Sequence, residues 1–441
     1  MIEGWGRYPR HDSEVLDCRL PEALPGTVSS RAGLIARGNG RSYGDAAIGE
    51  HLTLTCGALS RMKSFDQVDA SLTVEGGVML SEILRSFIPR GYFPPVVPGT
   101  KFVTVGGMIA SDVHGKNHHR DGGFGDHVRE IKLVIASGEI LTCSRTQNSE
   151  LFFATLGGMG LTGIIAEATF RLRPISTGWI VQKTVVTENL GDTLQALKQT
   201  DDATYSVAWI DCLSRGASLG RSLIFVGEHA SPSDIAQMPK AALLPPFKAA
   251  RFSLPVDLPG WALNRTSVSA FNDLYYRAGA RKAARVSLVH WDSYFFPLDG
   301  LLEWNRLYGK RGFLQHQCVV PDENALAVLS SMLDRFALSG KASFLAVLKR
   351  LRGGAGLLSF PAPGYTLALD LPVAPDVFQL LDEIDKLVVA AGGRLYLAKD
   401  ARQSRHTFEA GYPQLQAFKE LRRTTGADRH FSSQLGKRLG I

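Results

Sequence analysis

Apolar and polar residues alternate without a break along IIAEATFRLR (164–173): Ala166, Ala168, Phe170 and Leu172 on one side, Glu167, Thr169, Arg171 and Arg173 on the other. A period of two sorts residues onto opposite faces of a strand, so this stretch predicts a half-buried β-strand. EIKLVIASGEILTCS (130–144) holds two apolar runs joined at Ser137-Gly138, which predicts a hairpin. LTVEGG (72–77) predicts a strand entering a turn, and SEILRSFIPRGY (81–92) a helix ended by Gly91. Residues 33–110 therefore read as short β patterns interleaved with glycine turns.

After residue 178 the period lengthens. In DVFQLLDEIDKLVVAAGGRLYLAKD (376–400), Val377, Leu380, Leu381, Ile384, Leu387 and Val388 share one helical face. Asp376 is the expected N-cap and Gly392-Gly393 the expected stop, with a strand beyond. PDENALAVLSSMLDRFALSGKASFLAVLKR (321–350) has the same layout, and the two units finish near Lys399 and Lys349. Residues 230–260 break the pattern with six prolines, and Lys240, Lys248 and Arg251 stand among Leu243, Leu244, Phe247, Phe252 and Leu254. Proline density disfavours regular structure. Two readings stay open: a plain surface loop, or a basic and apolar flap that touches lipid.

A chain of 441 residues is long enough for two cores. Its net charge of +7 favours anionic partners, but no basic stripe with interleaved aromatics marks a nucleic-acid binder. Cys18, Cys56, Cys143, Cys212 and Cys318 are scattered and odd in number, without a CxxC, which suits a reducing compartment. No signal peptide and no apolar run of membrane-spanning length is visible. The expectation is a cytoplasmic protein whose contact with the inner membrane is peripheral.

Three glycine-rich stretches carry the candidate chemistry. ARGNGRSYGD (36–45) lets backbone N–H groups approach an anion, but Tyr43 breaks a dinucleotide fingerprint and no GK[ST] follows. PGTKFVTVGGMIASDVHGKNHH (98–119) adds Gly106-Gly107 beside small residues. GGMGLTG (157–163) spells GxGxxG, yet a strand follows where a helix should begin. Together they suggest one extended ligand threaded between turns. His114 and His118 have i,i+4 spacing, but Gly115, Gly122, Gly123 and Gly125 disfavour a helix, so no metal site is expected. His114 suits a polar place beside a redox cofactor, whereas His118, His119 and His127 are read as surface or structural.

These stretches resemble the flavin-binding domain of the vanillyl-alcohol-oxidase superfamily. With SDVHGKNHHRDGGFGDH, ELFFATLGGMGLTGII, FPLDGLLEWNRLYGKRGFLQHQ, SFLAVLKR and RLYLAKDAR, the chain is similar over roughly residues 5–440 to the decaprenylphosphoryl-β-D-ribose 2′-oxidase family. The resemblance implies an α+β fold. A PCMH-type FAD-binding domain would come from residues 1–178 and 394–441, with an antiparallel-sheet substrate domain (179–393) inserted. It implies FAD contacts at Ala36, Arg37, Gly38, Asn39, Gly40, Arg41, Ser42, Tyr43, Gly44, Asp45 and Ala46. Further contacts would come from Gly99, Thr104, Val105, Gly106, Gly107, Ser111, Asp112, Val113, His114, Ile165 and Tyr396. Many superfamily members tether FAD through a histidine in the first glycine turn. Arg41 takes that place here, so the FAD is expected to be non-covalent. Mycobacterial members carry a cysteine beside the flavin, the target of covalent inhibitors; that position is Ala368.

The implied reaction oxidises the ribose C2 hydroxyl of a polyprenyl-phosphate-linked sugar. An NAD(P)H-dependent short-chain reductase would then complete the epimerisation to the arabinose donor. The protein's share is orientation and charge. Lys399 is the first catalytic candidate, a cation beside the flavin, and His114 the second, assisting proton transfer. Lys349, Gln317, Lys399 and Tyr43 are expected to line the sugar pocket. Without the resemblance, Lys399 and Lys349 would read as solvated lysines and Gln317 as a core-edge glutamine. A related FAD oxidase of a free alditol, aldonolactone or other glycoside stays open as the alternative. Lys399 and three intact glycine turns argue against a flavin-binding subunit without turnover.

Overall fold

The computed structural model describes residues 1–441 except 237–241, 249–251, 260–263, 284, 342 and 344. The alternating stretch forms the strand Ile164–Arg171 and pairs antiparallel with Val128–Val134 and Ser71–Glu75. The expected hairpin adds Ile140–Ser144, and Met62–Asp66 completes a five-stranded sheet. Its apolar face (Leu72, Val74, Ile131, Leu133, Ala168, Phe170) packs with the helices Leu80–Phe87 and Val105–Ala110. The first helix continues as a single tight turn to Arg90 and ends at Gly91, whose φ of +81° suits a residue without Cβ.

A smaller parallel sheet orders Glu14–Asp17, Leu52–Thr55 and Leu34–Arg37. The far end of the chain completes its core: Ala427 and Phe431 pack with Leu34, Leu52 and Leu54, and Ser432 N–H donates to the Leu34 carbonyl at 3.0 Å.

The third sheet has eight strands, every neighbouring pair antiparallel. Their order is Ser287–His290, Trp179–Thr187, Ser222–His229, Tyr205–Ile210, Ala346–Leu351, Gly364–Pro372, Phe313–Val320 and Arg394–Leu395. Period two divides Phe313–Val320 cleanly. Leu314, Cys318 and Val320 pack beneath the helices Ala325–Ser339 and Pro375–Ala390, while Gln315 and Gln317 face the opposite side. The overall class is α+β.

One local expectation needs correction. Ala374, not Asp376, is the N-cap of the helix Pro375–Ala390, because Pro375 occupies the first helical position, where its missing N–H costs nothing. Asp376 instead pairs with Lys341 at 2.6 Å. The strands of the two helix–strand units differ in place: Ala346–Leu351 is interior to its sheet, whereas Arg394–Leu395 is a two-residue edge strand. Lys399 follows in a turn, its N–H donating to the Tyr396 carbonyl at 3.0 Å. Arg394 and Leu395 pair with Val319 and Cys318. In the 230–260 stretch, Phe247 is anchored against Trp291 (ring centroids 6.1 Å apart) and Phe252–Ser253 pairs with Leu301–Leu302. Lys240 and Arg251 lie outside the described residues. No helix among the described residues is long and apolar enough to cross a membrane.

Candidate active site

One cavity of about 420 Å³ lies between the glycine turns and the exposed face of the eight-stranded sheet. The first turn contributes Ala36, Gly38, Asn39, Gly40, Arg41, Ser42, Tyr43 and Ala46. The second contributes Gly99, Thr104, Gly106, Gly107, Ser111, Val113 and His114, and Gly160, Gly163 and Ile165 close the wall. The turns interlock through missing side chains: a Cβ on Gly38 would stand 2.2 Å from Thr104 Oγ1. Gly40, at φ +62°, takes a conformation that other residues adopt at a cost.

The sheet supplies the opposite wall. Val207 and Trp209, Val347 and Lys349, Thr366 and Ala368, and Gln315 and Gln317 come two by two from four neighbouring strands. Ala368 sits between Gln317 and Val347 in the pairing register. Tyr396 joins the two walls: its hydroxyl donates to the Ser111 carbonyl at 2.9 Å, and its ring stacks on Phe360 with centroids 4.6 Å apart.

His114 and Gln317 meet at 2.9 Å, Nε2 to Nε2, and Gln317 also reaches Thr366 Oγ1 at 3.1 Å. An amide nitrogen can only donate, so His114 Nε2 accepts and the ring proton is assigned to Nδ1. That Nδ1 is buried and has no protein partner. Burial holds the imidazole well below its usual pKa, and Lys349, His118 and Lys399 push the same way, so the ring is neutral.

Arg41, Lys116, Lys349 and Lys399 give the cavity a positive lining. Neither Lys349 nor Lys399 has a carboxylate within 4.0 Å among the described residues. Lys399 Nζ lies 3.7 Å from the Tyr43 ring centroid. Burial pushes Lys349 down to about 8 and Lys116 to about 7, and lowers Lys399 as well, Asp370 partly opposing the last shift. Asp370 stands behind the wall, accepting from Gln315 Nε2 at 2.5 Å, with its own pKa raised by burial.

Five expected cofactor positions stand behind the lining instead of in it. Arg37 donates to the Glu3 carbonyl at 2.8 Å, and Asp45 pairs with Arg438 at 2.8 Å. Gly44 lies so close to the Asp400 carbonyl that a Cβ would fall 2.0 Å from it. Val105 is wholly core, and Asp112 accepts from Gly125 N–H and Ser359 Oγ at 3.0 and 2.5 Å. All five hold the turns in shape. Conversely, Trp5, Phe102, Lys116, Trp209, Gln315 and Tyr275 line the cavity without having been singled out from the sequence. Gln315 was findable, two residues before Gln317 on one strand. Trp5 was not: it arrives by pairing its N–H with the Ser42 carbonyl at 2.8 Å.

The residues fit FAD. Glycines from three stretches leave room for a bulky group against the backbone, with no atom within 4 Å of a Cβ placed on Gly99. Two buried lining donors, Arg41 Nε and His114 Nδ1, have no protein acceptor, and a ligand rich in phosphate and ring acceptors would satisfy them.

Comparison with known proteins agrees with this geometry. A family model described as an FAD binding domain matches residues 27–144. The decaprenylphosphoryl-β-D-ribose oxidase of Mycolicibacterium smegmatis is 38% identical, over 100% of this chain and 97% of its own length. An uncharacterized Streptomyces coelicolor protein, from the mprA 5′ region, is 36% identical over 82% of this chain and 100% of its own. Cytokinin dehydrogenase 1 of Arabidopsis thaliana is 30% identical over 33% of this chain and 26% of its own, so that likeness is partial. The end-to-end match together with the FAD-binding region shows that this chain belongs to the decaprenylphosphoryl-β-D-ribose oxidase family of FAD-linked oxidoreductases.

Proposed function

We propose that the protein oxidises the ribose C2 hydroxyl of decaprenylphosphoryl-β-D-ribose to the 2-keto sugar, the first half of epimerisation to the D-arabinose donor. The observation that carries this is the end-to-end likeness to an oxidase named for that donor. Lys349, Lys399, Gln317 and His114 meeting in one cavity support it. FAD, when bound, supplies the two-electron acceptor for the C2 hydrogen.

The chain's own residues orient and polarise. Lys349 and Lys399 present positive charge to an anionic donor from a site where water is scarce, so each charge acts more strongly than in bulk solvent. Tyr43 holds the Lys399 ammonium against its ring face. Gln317 fixes the His114 ring, which turns an Nδ1 donor into the cavity. In this tautomer His114 Nδ1 can orient a bound group by donating a hydrogen bond but cannot take up the C2 hydroxyl proton, and its low pKa keeps the ring uncharged.

On this reading the three glycine turns and the C-terminal helices form the FAD-binding part, with residues 179–393 inserted as the substrate part. FAD is held without a covalent tether, since Arg41 stands at the tethering place and lies 3.9 Å over the Trp5 ring. A 2-keto product calls for an NAD(P)H-dependent short-chain reductase as the next enzyme, and a lipid-linked donor calls for peripheral contact with a membrane. Anaerobic mixing with decaprenylphosphoryl-ribose is the test. Bleaching of the flavin band is expected; a band that stays while a free alditol bleaches it would move the substrate to that class.

A further inference from the structure

Exposed apolar side chains are not spread evenly over the molecule. Eight of the fifteen large ones among the described residues fall between residues 243 and 302. Five of them lie on two elements that reach the cavity lining from two sides. On one side, the helix Arg265–Lys282 shows Phe271, Leu274 and Tyr275 to solvent, and Leu274 is 70% exposed. Phe271 stacks on Tyr275 (5.7 Å), Tyr275 packs on Trp209 (4.9 Å), and both Tyr275 and Trp209 line the cavity. On the other side, Phe252, 71% exposed, pairs with Leu301, next to Leu302, and both leucines line the cavity.

The inner face of this helix is satisfied. Val268 and Asn272 are buried, and Gly279 lies so close to Leu223 that a Cβ would fall 2.2 Å from it. The outer face continues from the apolar triad at helical spacing to Arg281 and Lys282, both exposed. Arg265 and Arg285 add to the positive charge. The neighbouring carboxylates are engaged: Asp273 with Arg277 and Arg221 at 3.0 and 3.5 Å, and Asp257 with Arg7 at 2.5 Å. Apolar side chains flanked by free cations match the boundary between acyl chains and acidic headgroups.

We propose that the outer face of Arg265–Lys282, with the Phe252–Leu302 rim, seats on an acidic phospholipid bilayer so that the cavity mouth opens onto the lipid. Charge complementarity selects an acidic lipid surface over a second protein: apart from the Asp273–Arg277 pair, the charged groups on this helix and just beyond it, Arg265, Arg281, Lys282 and Arg285, are all exposed cations. The inference rests on the lipid-linked donor for its purpose, but binding to lipid requires no donor. It also moves the docking element from the 230–260 loop alone to a helix 18 residues long.

The test is co-sedimentation of the FAD-loaded full chain with phosphatidylcholine vesicles, with and without phosphatidylglycerol. Binding is expected with phosphatidylglycerol and loss of binding at high salt. Each cation near an acidic surface is worth about fivefold in partition, so Arg281→Gln with Lys282→Gln should lower binding on the order of 20-fold. Phe271→Ser with Leu274→Ser should lower it on the order of tenfold. Both pairs should keep their flavin absorbance and thermal midpoint, and both should still be bleached by a water-soluble short-chain donor. Wild-type protein that ignores acidic vesicles, or variants that bind them like wild type, would overturn the proposal, as would capture by the reductase but not by lipid. Vesicle binding without bleaching by any ribose donor would leave the surface standing and sink the substrate reading.

Discussion

The Lys399 ammonium lies over the face of Tyr43, Nζ 3.7 Å from the ring centroid, and no carboxylate reaches it within 4.0 Å among the described residues. A cation held by a ring instead of a counter-ion keeps its charge available to whatever fills the cavity. Lys399→Met is expected to slow flavin reduction by the sugar donor on the order of 10²- to 10³-fold while FAD stays bound. Tyr43→Phe keeps the ring face and should retain most of the rate. Single-turnover kinetics with both variants checks this; a Lys399→Met enzyme within a few-fold of wild type would remove Lys399 from the chemistry.

The cavity lysines give donor binding a pH signature. Burial has pushed Lys349 down to about 8, so it is charged below that pH and neutral above it. KM for the phosphorylated donor should be flat below pH 7 and climb as pH rises through 8. Lys349→Met should raise KM at neutral pH and erase that limb. Lys116, which donates to the Tyr294 carbonyl, and Lys399 are each lowered by burial to about 7 and titrate in an overlapping range, so the Lys349→Met comparison, and not the profile alone, isolates Lys349. His114 lies well below its ordinary value and should contribute no inflection between pH 6 and 8.

Attachment of FAD can be read directly. Among the described residues His114 is the only histidine in the cavity lining, and its Nε2 is taken by Gln317. The thiol of Cys56, also in the lining, is pushed up to about 12 by burial. Acid precipitation should release all the flavin into the supernatant and leave a colourless pellet; a yellow pellet would refute non-covalent binding.

Ala368 faces the cavity between Gln317 and Val347, and all five cysteines are buried with raised pKa values. Thiol-directed inhibitors should therefore leave the wild-type enzyme active. Ala368→Cys should gain time-dependent inactivation, with one adduct per chain by intact mass.

Arg438 bonds Asp45 and Asp400 at 2.8 and 2.9 Å, and both carboxylates are at least 95% buried. Arg438→Met strands two buried charges, which typically costs about 3–5 kcal/mol. Thermal melts should show a lowered midpoint, and FAD should bind more weakly because Asp45 anchors the first glycine turn.

How far the sequence revealed this site depended on how local each signal was. Alternation exposed Ile164–Arg171, and the glycine stretches located the cavity, because both are written in neighbouring residues. Arg37, Gly44 and Asp45 shared the motif with true lining residues, and only their contacts with Glu3, Asp400 and Arg438 show that they buttress it. Trp5 and Tyr275 reach the cavity from distant segments, one by a backbone hydrogen bond and one by packing its tilted ring on Trp209, and no local pattern encodes either route. Asp376 misled because acidic residues favour both a cap and a first turn, and Pro375 decided between them.

The first glycine turn is closed by residues at the opposite end of the chain: Tyr43 N–H donates to the Ala398 carbonyl at 3.0 Å, and Arg438 clasps Asp45. On the ribosome these partners are made long after the turn itself. A nascent chain can pair its early strands, but it cannot finish the nucleotide cradle until Ala398 and Arg438 have emerged. A chain cut before Ala398 should therefore fail to hold FAD, because its first glycine turn has nothing to lean on.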